Sequence, residues 1–502
     1  MVDLLETIWW DLLYALRSVR KKRAFTATAL LTMALAIGGN TAMFTVIRSV
    51  LLKPLGYRDP DRLVQVSGGA TSVRFEEIKA AARCYAGLGA FRGVENITIS
   101  EGAEPEVLKS ARVSANFLNI LEVDPLLGRG FRPEEDTAAG SREPMISAEL
   151  WRRRFDAAPG ILGKAVTLAA TPYTIVGVLP TAFQFPFPDL DVWITRPSGY
   201  INTLSPVLTV FGRLNPTVEI KEATAELAVL NQQYRTAHPG MLDGKPNTVQ
   251  QVTPLKDRLV ANVRSMLWML FGAVGFVSLI ACANVASLLL ARSASRSWEF
   301  AVRAAVGASR FRLIRQFLAE SVVQAVAGGV LAVLLAKWSL IGITHRSAPD
   351  LPRAGEVRVD GIVLGFALLL SVATGVLFGL VPALGASRPD LAAVLRASGE
   401  AASSSDKRRV AGLSVRGVLV IGQVALSMVL LIGAALVMQS LVRLYSVNPG
   451  FNPSHLLTLH ISLPPSRYDT GQRQASFFDE LARRVQLLPG VCGAAATFTS
   501  RR

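Results

Sequence analysis

The chain has 502 residues, and its 53 Lys and Arg outweigh 37 Asp and Glu to give a net charge of +16. Hydrophobic residues make up 51% of the sequence and charged residues only 18%, whereas a typical soluble domain is about a quarter charged. This composition excludes an intrinsically disordered chain and argues against a wholly soluble one. Cys84, Cys282 and Cys492 form no CxxC pair, so neither a disulfide framework nor a zinc site is predicted.

The first 23 residues are predicted to form an amphipathic helix on the cytoplasmic membrane surface. Leu5, Ile8, Leu12 and Leu16 recur at helical spacing, and Trp9 adds an aromatic side chain suited to that interface. The alternative is that these residues simply extend the first membrane helix.

Five long apolar runs follow, and each is long enough to cross a hydrocarbon core of about 30 Å. The first is too long for the apolar core of a signal peptide, so a retained anchor is favoured over a cleaved leader. The predicted fold class is therefore an α-helical polytopic membrane protein with five spans, at residues 24–47, 265–291, 316–336, 361–387 and 417–442.

Charge predicts the orientation. The segments 1–23, 292–315 and 388–416 hold 17 basic residues against 7 acidic ones, whereas residues 48–262 hold 24 basic and 23 acidic residues. The positive-inside rule places the basic segments in the cytoplasm. The large domain at 48–264, the loop at 337–360 and the segment at 443–502 then lie outside. The basic excess is a topology signal, so no nucleic-acid partner is predicted.

The outside domain is predicted to be α+β. Strands are expected at 63–67 and 107–113, a helix capped by Ser147 at 147–155, and an amphipathic helix at 220–238 that points Glu222, Glu226 and Arg235 outward. Segments 165–168 and 173–179 predict a hairpin that turns at Thr171–Pro172.

Little in this domain points to chemistry. Neither G-x-S-x-G nor H-E-x-x-H occurs, so no enzymatic activity, metal or cofactor is predicted. The acidic triplet Glu134–Asp136 fits a calcium site or, as favoured, a solvated loop. Phe183, Phe185 and Phe187 alternate along the chain. This pattern fits an exposed edge that binds a partner or, as favoured, an extended segment packed on the core.

The segment between spans two and three is the predicted coupling site. A P-loop of the form G-x-x-x-x-G-K-[ST] is absent, so any ATPase must be a separate subunit. A short helix with a favourable i,i+4 ion pair and a glycine C-cap would transmit a push. An interfacial helix among lipid headgroups is the equal alternative. The predicted ATPase-coupling residues are Trp298, Glu299, Val302, Arg303 and Gly307.

Two features of the spans predict packing. Glu320 lies one turn into span three, where it is expected to reach water, Arg312 or Arg315 in a structural role rather than as a proton relay. Span four carries two G-x-x-x-G steps, which predict close helix contacts within the chain or with a second copy. They are Gly361/Gly365 and Gly375/Gly379.

The chain also repeats itself, because Gly56–Val66 after span one is similar to Gly450–Leu459 after span five. We therefore expect residues 443–502 to begin a second, incomplete outside domain, with Arg502 as a premature end.

Several collinear stretches resemble the permease family of MacB/FtsX-type ABC transporters, in its duplicated-permease branch. The resemblance implies a MacB-type periplasmic core domain at 48–264, an FtsX-like permease unit at 265–387 and a segment that docks on a separate ABC ATPase. It also implies mechanotransmission, in which ATPase movement is passed through the helices to the outside domain. The stretches that carry it are residues 15–52, 150–155, 173–180, 279–285, 299–309 and 315–321.

The leading hypothesis is an export permease in the bacterial inner membrane with a cytoplasmic N-terminus. Its expected partners are the ATPase, the bilayer, and a second copy or a second permease unit. The alternatives are a non-transporting FtsX-type regulator of an extracytoplasmic partner protein and an inactive truncated fragment.

Overall fold

The computed structural model describes the chain in two compact units, residues 1–53 with 262–454 and residues 54–261 with 455–502. The described residues are 23–100, 105–136, 142–181, 183–195, 208–239, 250–295, 310–347, 357–386, 409–410, 413–447, 456–459, 461, 463, 468 and 470–496. The predicted amphipathic helix at 1–23 lies almost wholly outside them.

The described residues of every predicted apolar run lie in a helix. These helices are α1 (Arg23–Ile47, continued by a π-helical turn at Arg48–Leu52), α6 (Leu255–Ser295), α7 (Arg310–Ser347), α8 (Gly361–Ala386) and α9 (Val415–Ser446). Among the described residues, four stretches are long and apolar enough to span a membrane, and a shorter apolar stretch, Gly361–Leu377, lies in α8. The predicted polytopic helical fold is confirmed. A two-stranded hairpin, β12 (Arg409–Val410) with β13 (Leu413–Ser414), precedes α9.

The second unit is built on a mixed sheet of eleven strands, as the α+β prediction requires. Nine of them follow the order β11-β1-β10-β2-β3-β9-β5-β8-β4, and the β6–β7 hairpin joins β2. The strands are β1 (Leu63–Ala70), β2 (Tyr85–Ile99), β3 (Glu106–Val113), β4 (Leu127–Gly128), β5 (Met145–Ser147), β6 (Ala165–Leu168), β7 (Thr171–Thr174), β8 (Gly177–Leu179), β9 (Val192–Thr195), β10 (Leu208–Leu214) and β11 (Val252–Pro254).

The predicted hairpin exists, but its turn was misplaced. β6 and β7 pair antiparallel with Leu168 opposite Thr171, so Thr171 and Pro172 lie within a strand. The turn residues are Ala169 and Ala170, with φ of 46° and 61°. Two consecutive positive φ values give the strand twist that a two-residue hairpin requires. Pro172 is tolerated because β7 is an edge strand among the described residues.

Helices α2 (Ser72–Ala81), α3 (Phe117–Leu121), α4 (Ala148–Phe155) and α5 (Ile220–Ala237) complete the domain. Ser147 caps α4 as predicted, because its Oγ accepts from the Leu150 N–H at 3.0 Å. Glu226 of α5 was predicted to face outward. It is partly exposed, and its carboxylate also accepts from the backbone N–H groups of Arg83 and Cys84, at 2.7 and 3.0 Å. The helical periodicity gives no indication that Glu226 binds the backbone at the end of a neighbouring loop.

An aromatic core lies beneath the sheet. Phe183 and Phe185 are buried, and the Trp193 Nε1–H donates to the Phe185 carbonyl at 2.9 Å. Phe187 packs edge-on against Phe91 with ring centroids 5.6 Å apart. The alternating phenylalanines therefore pack on the core, and the exposed-edge alternative is wrong.

The last described helix, α10 (Gly471–Gln486), begins at a Thr470 cap whose Oγ1 accepts from the Arg473 N–H at 3.4 Å. It lies in the segment predicted to start a second outside domain. None of its residues is buried in the described structure.

Candidate coupling site

The predicted coupling residues Trp298, Glu299, Val302, Arg303 and Gly307 lie outside the described residues. The structure describes the two helices that flank them: α6 ends at Ser295 and α7 begins at Arg310. The packing of these helices therefore determines what a movement of residues 296–309 would reach.

The contact between α7 and α8 depends on glycine. A Cβ at Gly375 would lie 2.9 Å from the Val322 Cα, and a Cβ at Gly379 would lie 2.7 Å from the Ser321 Cβ. Both distances are too short for a side chain, so the helices approach closely here as the second G-x-x-x-G step predicts. Within the described residues, a Cβ at Gly361 or Gly365 would meet nothing within 4 Å. The predicted contact at the first step is not formed there.

Helix α1 packs on α7 in the same way. A Cβ at Gly38 would lie 3.2 Å from the Ala332 carbonyl oxygen, and a Cβ at Gly328 would lie 3.0 Å from the Met33 Cβ. Asn40 adds a link to α6, because its Nδ2 donates to the Val274 carbonyl at 3.3 Å. Four helices are thereby joined, with a buried apolar cluster of Met33, Ile37, Val285, Leu289, Ala325 and Ala332.

Polar residues of α7 lie inside this packing. Glu320 is 8% exposed and Gln324 is 2% exposed, so both side chains are enclosed by protein. Glu320 was expected to reach water, Arg312 or Arg315; the Arg312 side chain lies outside the described residues. The burial of Glu320 agrees with the structural role predicted for it and differs from the predicted access to water.

A charged contact lies at the other end of α1. The Arg48 guanidinium pairs with the Asp360 carboxylate at 2.9 Å, and one turn earlier Phe44 stacks on Phe366 with ring centroids 4.1 Å apart. Sequence reasoning missed this pair, although a signal existed. Arg48 directly follows the first apolar run and Asp360 directly precedes the fourth, on the same predicted side of the membrane.

The folded domain at residues 54–261 has its own ionic cluster around the acidic triplet Glu134–Asp136. The Arg129 Nη2 lies 2.7 Å from both the Glu135 and Glu143 carboxylates. The hydrogen bond with Glu135, together with burial, raises the pKa of Glu143. Burial would raise the pKa of Glu135, but hydrogen bonds with Glu143 and Arg129 lower it overall. The described residues contain no group of three or more potential metal ligands, and Glu135 binds arginine, so the calcium alternative gains no support.

A second cluster fixes α4 to the sheet. Glu106 accepts from Arg153 and Arg154, each at 2.8 Å, and Arg153 also reaches Asp191 at 3.3 Å. These charges neutralise one another, so they explain Arg153 and Arg154 as structural.

Comparison with known proteins locates both domains. Residues 26–230 match the MacB-like periplasmic core domain, and residues 271–391 match the FtsX-like permease C-terminal domain. The first match begins within α1 and so includes the span that precedes the folded domain.

Curated relatives are more distant. The chain is 24% identical to a pyoverdine export ATP-binding/permease protein, PvdT, of Pseudomonas entomophila, over 53% of this chain and 39% of that protein. It is 26% identical to a macrolide export ATP-binding/permease protein, MacB, of Shewanella oneidensis, over 59% and 44%. The chain thus spans about two fifths of the length of these relatives.

Two solved structures are similar to part of the chain. The extracellular domain of the noncanonic ABC-type transporter YknZ from Gram-positive bacteria is 16% identical, with a TM-score of 0.29, over 38% of this chain and 99% of that one. The periplasmic region of MacB from Actinobacillus actinomycetemcomitans is 10% identical, with a TM-score of 0.31, over 43% and 95%.

With a periplasmic core match and a permease match in the expected order, the chain belongs to the MacB/FtsX-type family of ABC transporter permeases.

Proposed function

We propose that this chain is the permease subunit of an ABC-type export system and is driven by a separate ATPase. The observation that carries the proposal is the glycine-mediated packing of α7 against both α1 and α8. Helices in such close contact shift together, because a packed interface does not deform continuously. A displacement of residues 296–309 is then shared with α1, which continues through Lys53 and Pro54 into the folded domain.

In this proposal the coupling residues have distinct roles. Trp298 and Val302 would dock on the ATPase with their apolar side chains, and Glu299 and Arg303 would stiffen the helix as an i,i+4 pair. Gly307 would end that helix one turn before α7 begins. A stiff segment is required because a flexible one would absorb the movement of the ATPase.

The proposed orientation has the N-terminus in the cytoplasm of the bacterial cell and residues 54–261 outside the inner membrane. Support comes from the charge asymmetry of the loops. The exposed Cys492 offers a direct test. In a variant that keeps only this cysteine, a membrane-impermeant maleimide added to intact spheroplasts should label it. Labelling that requires permeabilised cells would contradict the orientation.

Cys84 is less suited to that test. Burial and the Glu226 carboxylate raise the pKa of its thiol to about 11, so the reactive thiolate is scarce at neutral pH. Slow labelling of Cys84 would therefore not show that its domain faces the cytoplasm.

Export is favoured over a purely regulatory role because relatives are named for export of pyoverdine and macrolides. Pairing with a second copy or a second permease unit is part of the proposal. Helix α9 supports it, since none of the residues in its most apolar stretch is buried in the described structure. Accumulation of a tested substrate in vesicles would distinguish export from regulation of an outside partner.

Coupling is tested by Glu299→Lys combined with Gly307→Pro. The variant should lose stimulation of the partner ATPase while inserting into the membrane normally, because charge reversal breaks the helical ion pair and proline disrupts the helix end. The matched control is Glu356→Lys with Gly355→Pro, the same two changes in the loop predicted to lie outside. If the coupling variant stimulates the ATPase as well as this control does, the coupling assignment is wrong.

A further inference from the structure

A single carboxylate joins the start of α8 to the end of α1. The Asp360 Oδ1 accepts from the Val363 N–H at 3.1 Å, which caps α8, while its Oδ2 binds the Arg48 guanidinium at 2.9 Å. The Arg48 side chain is 18% exposed and the Asp360 side chain 43%. The arginine is therefore held against protein rather than extended into solvent.

Arg48 occupies an unusual place in the backbone. It is the first residue of the π-helical turn Arg48–Leu52, and its carbonyl accepts from the Lys53 N–H at 2.7 Å. A π-helical turn has a wider ring of hydrogen bonds than an α-helix and is found mostly as a short segment, frequently at functional sites. Here it is the last helical turn before the chain leaves, at Lys53, the unit formed by residues 1–53 and 262–454.

A second contact lies one turn away. Phe44 stacks on Phe366 with an angle of 13° between the ring planes. One contact alone would let α1 pivot about it. Two contacts at successive turns fix both the axial position and the rotation of α1 relative to α8.

We propose that Phe44, Arg48, Asp360 and Phe366 form a clamp that transfers movement of α8 to the π-helical turn, with Arg48 and Asp360 as its positioning residues. The inference rests on the proposed function, in which α1 delivers movement to the folded domain. Without Asp360, the long arginine side chain would reach lipid headgroups and water instead, and the turn would no longer follow α8.

The cap and the ion pair can be separated experimentally. Asp360→Asn keeps a good N-cap but removes the negative charge. Arg48→Gln removes the positive charge, and Arg48→Lys keeps it. Arg358→Gln is the matched control, because it removes an exposed positive charge two residues before Asp360.

The test uses the full chain with its ATPase in proteoliposomes. The native cysteines are replaced by alanine, and a reporter cysteine is placed at the exposed Val94 of the folded domain. The measurement is the ATP-dependent change in the rate of maleimide labelling. Asp360→Asn and Arg48→Gln should reduce that change by about 1.4-fold to fivefold, which is the range that corresponds to the loss of one partly exposed ion pair. Arg48→Lys and Arg358→Gln should retain most of it.

Normal membrane insertion and an unchanged elution volume in detergent must accompany each variant, so that misfolding is not mistaken for uncoupling. A wild-type response in Asp360→Asn overturns the clamp and leaves the proposed function standing. A wild-type chain whose labelling does not change with ATP overturns the proposed function, and the clamp with it.

Discussion

The glycine contact between α7 and α8 yields a quantitative prediction. Gly375→Ala places a methyl carbon 2.9 Å from the Val322 Cα and 3.1 Å from the Ala325 Cβ. Carbon atoms pack best at about 3.5–4.0 Å, so the helices must separate by roughly 0.6 Å or more. Forcing a methyl group into a filled interface costs about 1–3 kcal/mol.

Gly365→Ala is the matched control, because it adds the same methyl group to the same helix where nothing lies within 4 Å. Alanine favours a helix over glycine by about 1 kcal/mol at either position. This contribution cancels when the two variants are compared. The difference between them therefore isolates the packing cost, and Gly375→Ala should be less stable by about 1–3 kcal/mol.

The measurement is unfolding of the purified chain by titration of a denaturing detergent into a mild one, followed by circular dichroism. Gly375→Ala should unfold at a lower fraction of denaturing detergent than Gly365→Ala, which should match or exceed the wild type. Midpoints that match or exceed the wild-type value in both alanine variants would refute the close approach of α7 and α8. Equal destabilisation by both would show instead that the first G-x-x-x-G step is packed too.

Three further predictions concern the folded domain of the full chain. A carboxyl whose pKa is raised on folding binds its proton more tightly in the native state, so its contribution to stability is lost as pH rises above the ordinary value of 4.5. Glu143→Gln should therefore flatten the fall in stability just above pH 4.5, as measured by thermal unfolding across pH. An unchanged slope would contradict the raised pKa of Glu143. Ser147→Ala should cost about 1 kcal/mol in denaturant unfolding by removing a helix cap, whereas no loss would contradict the cap. Asn231→Ala should cost about 1–3 kcal/mol in the same assay, because its Oδ1 accepts from the fully buried Arg74, and a smaller loss would mean that other groups satisfy the guanidinium.

Much of the fold could be predicted because its signals are local. A run such as 417–442 needs a membrane or a core whatever its neighbours are, so hydropathy alone located α9. The same holds for the Ser147 cap, whose hydrogen bond reaches only to Leu150. Local chemistry determines these features, and no knowledge of the tertiary structure is required.

Features that depend on distant residues were predicted less well. Thr171–Pro172 has turn chemistry, yet the turn falls at Ala169–Ala170, whose residue types carry no preference for positive φ. The pairing of β6 with β7 sets the register, and the local propensity yields to it. Glu226 follows the same rule, since the groups it binds lie more than 140 positions away in the sequence.

The two G-x-x-x-G steps show why sequence spacing alone does not define a contact. Both have the same residues and lie in one helix, but only Gly375 and Gly379 face a neighbour among the described residues. The neighbouring helix decides whether a glycine makes a contact. Opposite Gly375 and Gly379, α7 presents the small side chain of Ser321 and the backbone of Val322. Arg48 and Asp360 extend this reasoning to charges. Each borders an apolar run on the same predicted side of the membrane. Opposite charges at such span boundaries can therefore be proposed as pairs from the sequence alone. Local patterns thus identify the groups that could meet, and the packing of α1, α7 and α8 selects the groups that do.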